Sequence, residues 1–269
     1  MLGAIQFPNL NPIAFYVGPF GVHWYALAYV AALLFASWYL KRLVTTASLW
    51  GGKQPTFTTQ QVDDLFMWFM GGVILGGRLG YVLLYKPLFY LQNPLEIIKT
   101  WDGGMSFHGG FLGVVIACWI WGRKHGVGLD RQMDLGAAVT PVGLGFGRLA
   151  NFINAELWGK PTDAPWGVVF PGEAVARHPS QIYEMILEGI VLFILIRIGT
   201  HRLKFLQHPG RAAGLWALVY GASRILVEFF REPDAHIGYI AGFITMGMIY
   251  SLPLVAVGLW LLVRSLKTT

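Results

Sequence analysis

The sequence predicts an all-α integral membrane protein of about seven transmembrane helices. Its N-terminus is expected outside (periplasmic) and its C-terminus in the cytoplasm, with outer-side loops forming a site. Three observations carry this. Of 269 residues 55% are hydrophobic and only 13% charged, against roughly 25% charged in soluble domains, which leaves too little polar surface to solvate a globule of this size. Apolar stretches of spanning length, roughly 17–25 residues, recur along the chain. Basic residues gather at alternate ends of those stretches.

The stretches run in order from about Val22 to Leu40, Val62 to Leu84, Phe107 to Trp121, Leu135 to Leu149, Ile182 to Ile198, Ala213 to Phe230 and Ile240 to Val263. The third and fourth, at about 15 residues, are short for a full span. Pro141 lies inside the fourth. Alternate ends carry Lys41, Arg42 and Lys53; Arg123, Lys124 and Arg131; Arg197, Arg202, Lys204 and Arg211; and Arg264 and Lys267. That puts twelve of the 20 basic residues on one side, the cytoplasmic one by the positive-inside rule. An odd helix count then places the termini on opposite sides. The outer segments, Lys86 to Ser106, Asn151 to Pro179 and Glu232 to Gly238, hold the Pro, Gly, Trp and Asp expected of interfacial loops.

Residues 1–16 lack a basic n-region, and Pro8, Asn9, Asn11 and Pro12 break any early apolar run, so no cleavable signal is expected. No internal repeat is evident, which removes support for an inverted-repeat transporter. Residues 1–269 read as a single polytopic domain. The net charge of +6 is explained by cytoplasmic loops rather than by nucleic acid. Cys118, the one cysteine, allows no intrachain disulfide or cysteine metal site and reads as a packing residue. No metal or organic cofactor is indicated.

Charges inside apolar helices are the exception to be explained. Arg78 sits in GGRLGY, Arg148 in GFGRLANF and Arg224 in YGASRILVEFF. Each costs about 2.5–3.5 kcal/mol near the bilayer centre, less where it snorkels to the interface. The plainer reading is ion pairing: Glu228 lies one turn from Arg224, and Glu184 and Glu188 could pair with Arg78 or Arg148. The sharper reading rests on the neighbours. Arg148, Asn151 and Asn154 recur every third residue, followed by Glu156. A guanidinium fork beside amide donors suits phosphate oxygens, and the phosphate at this depth is that of a phospholipid. His108, between glycines in the Asp102–Gly110 segment, is placed to exchange protons near neutral pH. His23 is ambiguous beside Trp24 and Tyr25, which suit an interfacial belt. HExxH, GxSxG and GxxxxGK[ST] are absent, and Ser106 stands in no nucleophile elbow. An enzyme built this way receives its nucleophile with a substrate. A channel, a phospholipid hydrolase and a scaffold are the rival classes.

These residues resemble a known family. WDGGMSFHGG (Trp101–Gly110), GRLANFINAELWG (Gly147–Gly159), RHPSQIYE (Arg177–Glu184) and YGASRILVEFFREPD (Tyr220–Asp234) are similar to the prolipoprotein diacylglyceryl transferases, as are HWY (His23–Tyr25) and GGRLGYVLLY (Gly76–Tyr85). The matches are ordered and span most of the chain. The resemblance implies seven helices and a multi-pass protein of the bacterial inner membrane. It implies transfer of a diacylglyceryl group from phosphatidylglycerol to the lipobox cysteine of a preprolipoprotein signal peptide. A thioether forms and glycerol phosphate leaves, the first step of lipoprotein maturation. It further implies that Arg148 and Arg224 bind phosphate and are essential, that His108 is catalytic, and that Tyr25, Asn151, Gly159, Tyr220 and Glu228 line the same site. Ala150 and Ala155 depart from the family pattern, which often has glycine at both positions. Such a reaction is alkyl transfer and needs no oxyanion hole. Arginines aimed at the departing phosphate stabilise the transition state. The thiol needs a base or a positive field. His108 is one candidate base; Tyr25 and a substrate phosphate oxygen are others.

Overall fold

The structure, a computed structural model, describes residues 4–52, 55–232, 240 and 244–267. Lys53, residues 233–239 of the third outer segment, and 241–243 of the seventh apolar stretch lie outside the described residues.

Each of the seven apolar stretches contains a helix. Helix α1 is Trp24–Thr45, α2 Thr59–Leu84 and α3 a short Pro87–Gln92. Helix α4 is Phe107–His125 and α5 Leu129–Ile153. The fifth stretch is a continuous helical run made of α6 (Ser180–Glu184), a π-helical segment (Met185–Val191) and α7 (Leu192–His201). Helix α8 is Arg211–Glu228 and α9 Met246–Leu266. By length and composition, α1, α2 and α9 are long and apolar enough to cross a membrane.

Local chemistry sets the ends. Thr58 starts α2 through a capping box: it accepts from the Gln61 N–H at 3.1 Å while Gln61 Oε1 accepts from the Thr58 N–H at 2.8 Å. Ser106 caps α4 by accepting from the Gly109 N–H, which gives that serine a structural reason to precede His108. Gly126, at φ 69°, closes α4 in the left-handed conformation. The third stretch is longer than expected because Arg123, Lys124 and His125 continue the helix as a basic last turn. The start of α8 is capped from a distance: buried Asp134 accepts from the Gly210 and Ala213 N–H groups at 2.8 and 2.9 Å.

Two element boundaries differ from expectation. The chain is helical but not purely so. Strands β1 (Ile5–Gln6) and β4 (Val168–Val169) pair in parallel, and β2 (Ile13–Val17) forms a hairpin with β3 (Phe20–His23). Gly18, at φ 59°, makes the turn of that hairpin, so α1 starts at Trp24 rather than Val22. The seventh helix starts at Met246, not Ile240: Ile240 and Ile244 pair with each other, and Thr245 caps α9 through the Met248 N–H.

The helices gather into two compact units. One comprises Met1–Leu40, Ser48–Gly51 and Met133–Thr269; the other comprises Lys41–Ala47 and Gly52–Gln132. The second unit is organised by a glycine seam. On α2, Gly72, Gly76 and Gly80 meet Gly109 and Gly113 of α4. A Cβ on Gly76 would lie 2.7 Å from the Gly113 Cα, and one on Gly109 2.7 Å from the Gly80 Cα. Small residues at every fourth position let two backbones approach to this distance. In the first unit, α8 and α9 pack through Gly214, Gly221 and Gly258 in the same way. Large apolar side chains point outward: Leu34, Met67, Tyr250 and Trp260 are 57–68% exposed, as lipid-facing positions require.

Candidate functional site

The first unit carries a buried charge cluster. Arg148 comes from α5, Glu184 from the end of α6, Glu188 from the π segment, Arg224 and Glu228 from α8, and Arg231 from just beyond it. Glu184 and Glu188 have no exposed surface. The π segment departs from regular helical geometry between them, as such segments do at functional sites. Gly189 lets it press against Gly145 of α5, where a Cβ would lie 2.7 Å from the Gly145 Cα.

Glu184 is the hub. Its Oε1 accepts from Arg224 and, at 3.1 Å, from Arg231. Its Oε2 lies 3.1 Å from the Arg148 Nε as an ion pair. Arg224 also donates to Glu228 at 2.5 Å, the pairing expected one turn apart. Glu228 is held on its other oxygen by the Thr245 hydroxyl at 2.7 Å, and Gly247 leaves room for its carboxylate. Thr245 therefore ties the start of α9 to the cluster. Glu188 is held differently. It lies 3.5 Å from Arg224 and 3.7 Å from Arg148, yet neither oxygen accepts a hydrogen bond. Tyr220, on the same face of α8 as Arg224, stacks on Trp216 at 4.8 Å between ring centres.

A neutral polar set adjoins Arg148 along α5. Buried Asn151 donates from Nδ2 to the Tyr25 hydroxyl and, at 2.8 Å, to Glu156 Oε1. Asn154 closes the last turn of α5, its N–H donating to the Ala150 carbonyl at 3.0 Å, and the chain then turns through Ala155 at φ 53° and Leu157 at φ 59°. Gln181 and Ser180 hold that turn by donating to the Glu156 and Leu157 carbonyls at 2.6 and 2.9 Å.

Gly159 serves through its backbone. Its N–H donates to the His178 carbonyl at 2.8 Å, its carbonyl accepts from Arg177, and it bridges to Arg231. A Cβ there would strike the Phe230 carbonyl. Gly159 thus seats the end of α8, and with it Arg231. Nearby, burial first and then Lys160 pull the His178 imidazole below its ordinary range. Glu173 and Glu232, at 2.5 and 2.9 Å, push the Arg177 guanidinium further above its usual range against the effect of burial.

His108 belongs to the second unit. It stands in the first turn of α4, exposed, edge-on to Phe107, and lines an apolar cavity of about 840 Å³ between α2 and α4. Arg78 is in that unit as well and has no carboxylate partner among the described residues. It donates to the backbone carbonyls of Glu96, Ile97, Lys99, Gly103 and Gly104 at 2.6–3.0 Å. Of the two pairings the sequence left open for Glu184 and Glu188, the one with Arg148 is made, and Arg224 joins it. Arg78 instead folds the loop that leads to Ser106 and His108. Sequence reasoning missed Arg231 and Thr245. It treated Glu184 and Glu188 only as ion-pair partners, though two carboxylates four apart in an apolar helix are a functional signal.

Comparison with known proteins decides the family. A sequence model of the prolipoprotein diacylglyceryl transferases matches residues 12–264. The chain belongs to that family. The phosphatidylglycerol–prolipoprotein diacylglyceryl transferase of Brucella anthropi is 49% identical over 267 residues, covering 98% of this chain and 95% of its own. Proteins of the same name from Agrobacterium fabrum and Rhizobium meliloti are 48% and 49% identical over 100% and 98% of this chain, and 96% and 95% of theirs. The chain is accordingly a membrane protein of a transferase family.

Proposed function

We propose that the chain transfers the diacylglyceryl group of phosphatidylglycerol to the thiol of a lipobox cysteine in a preprolipoprotein signal peptide. The reaction takes place in the bacterial inner membrane. Near-full-length identity of about 49% to relatives bearing that name supports it. The observation that carries it is the convergence of Arg148 and Arg224 on one fully buried carboxylate. Two guanidinium groups aimed at a single anion are built to exchange it for, or share it with, another. Arg148 and Arg224 hold the lipid phosphate, Glu228 and Thr245 orient Arg224, and Tyr25, Asn151 and Tyr220 line the headgroup site.

The sulfur–carbon bond forms as the bond from glycerol carbon to phosphate oxygen breaks. Negative charge moves onto glycerol phosphate, where the arginines stabilise it. His108 takes the thiol proton. It is exposed and flanked by glycine, whereas the Tyr25 hydroxyl is engaged with Asn151. The chain crosses the membrane seven times with its N-terminus outside, which puts the site in the outer half of the bilayer where an exported cysteine meets the lipid.

The test is mass spectrometry of a lipobox peptide incubated with purified protein and phosphatidylglycerol. A diacylglyceryl adduct on the cysteine is expected. Free diacylglycerol without adduct would make the protein a hydrolase instead. Arg148→Ala should lose lipid turnover by on the order of a hundredfold or more. Near-normal turnover in His108→Gln across pH would remove the base role.

A further inference from the structure

The buried cluster sets a charge problem for an anionic lipid. Arg148, Arg224 and Arg231 face Glu184, Glu188 and Glu228, three cations against three carboxylates. As a set they are neutral when all are ionised. A phosphodiester carries one negative charge. Placed on Arg148 and Arg224, it leaves one charge in excess among side chains with little or no exposed surface. Buried charge without a partner is strongly disfavoured, and protonation of a carboxylate is the least costly remedy.

The three carboxylates are not equivalent. Glu228 accepts from Arg224 and Thr245. Glu184 touches all three arginines. Glu188 has both oxygens buried with no hydrogen bond, and only longer charge contacts to Arg148 and Arg224. It gives up least on becoming neutral. The titratable groups facing it are Arg148 from α5, Arg224 and Tyr220 from α8, and Glu184 one turn earlier. From α5, Gly145 against Gly189 adds no charge.

We infer that Glu188 carries a proton whenever the lipid phosphate is bound at Arg148 and Arg224, so that lipid affinity is coupled to one proton. This rests on the phosphate reading of those arginines. It makes Glu188 a positioning residue that matches the charge of the site to a monoanionic lipid.

The experiment measures phosphatidylglycerol affinity of the full chain in nanodiscs from about pH 5.5 to about pH 8.5. Affinity should fall with rising pH, steepening toward about tenfold per pH unit. Glu188→Gln, which mimics the protonated acid, should bind tightly with no slope. Glu184→Gln removes the same charge and should also lose the slope, but it should bind more weakly because Arg148, Arg224 and Arg231 lose their shared partner. Diacylglycerol, lacking phosphate, should show no slope with wild type. Calorimetry of wild type in two buffers of different ionisation enthalpy should show proton uptake rising toward one per lipid as pH rises. That measurement needs no variant to fold. A flat wild-type profile, zero uptake at every pH, an unchanged slope in Glu188→Gln, or loss of binding in a folded Glu188→Gln each overturns the inference. Wild-type affinity in Arg148→Ala and Arg224→Ala would instead overturn the phosphate reading beneath it.

Discussion

Ala155 adopts φ 53° directly after α5, a conformation that costs a residue with a Cβ about 1–2 kcal/mol. It turns the chain away from Asn151, so that Glu156 comes back to accept from the Asn151 amide. Glycine relieves that strain. Ala155→Gly is expected to raise unfolding free energy by about 1 kcal/mol with lipid affinity unchanged, read by thermal unfolding in detergent. Arg78 makes the opposite case, a residue whose geometry no other side chain supplies. Five carbonyls from Glu96 to Gly104 accept from one planar fork. Lysine keeps the charge but offers donors from a single atom. Arg78→Lys should speed amide exchange across residues 96–104 and weaken the loop by ~2 kcal/mol or more. Turnover should fall with lipid affinity preserved, because the loop delivers Ser106 and His108. Unchanged exchange would show that the loop holds itself. The arginines were legible in the sequence as misplaced charge, and the Arg224–Glu228 pair as helical spacing. The partners of Arg78 were not, because backbone carbonyls leave no mark on residue identity. Nor was the hub role of Glu184, which depends on how three helices meet.

Helices were legible as apolar runs, and their caps explain most boundaries the runs left open. Thr58, Ser106 and Thr245 each accept from a first-turn N–H, a signal present in the sequence but hidden among other Ser and Thr. The glycines of α2 and α4 were visible as composition; their function as a seam needed the pairing. A methyl group on Gly76 has backbone on the opposite side, at 2.7 Å from the Gly113 Cα, and backbone cannot rotate away as a side chain can. Gly76→Ala should therefore separate α2 from α4 and cost about 1–3 kcal/mol, whereas Gly71→Ala, mid-helix and meeting nothing within 4 Å, should stabilise by up to about 1 kcal/mol; paired unfolding curves decide. At the loop that seats α8, His178 titrates below its ordinary range because of burial and Lys160. The folded state thus favours the neutral ring. Its contribution is present above the ordinary histidine pKa of about 6.5 and is lost as pH falls through the lower folded value. His178→Gln should show a smaller loss of stability than wild type on going from about pH 7 to about pH 5. An equal loss would place the acid sensitivity elsewhere.

For the whole molecule, the charge pattern and the cluster make one argument. Arg148, Arg224 and Arg231 lie toward those helix ends that do not carry the clustered basic residues. By the positive-inside rule those ends are expected to face outward. In the proposed reaction a lipid phosphate of the outer leaflet and an exported thiol both arrive from that side, so the proposed chemistry and the expected topology call for the same orientation. Three helices meet the length and apolarity of a span without further support. Among the others, α5, the run from α6 to α7, and α8 carry the ionisable residues of the buried cluster, which lowers their apolarity. Orientation is open to direct measurement. With Cys118, the free native thiol, replaced by alanine, single cysteines at exposed Lys124 and Arg202 should react with an impermeant maleimide only in inside-out vesicles. Single cysteines at exposed Asp163 and Val175 should react only in spheroplasts. If Asp163→Cys and Arg202→Cys label from one side, the number of crossings between them is even. The seven-crossing arrangement would then fail, because it places the loop after α5 and the loop after α7 on opposite faces. The arginine cluster would then need to be reached by a cysteine that had not been exported.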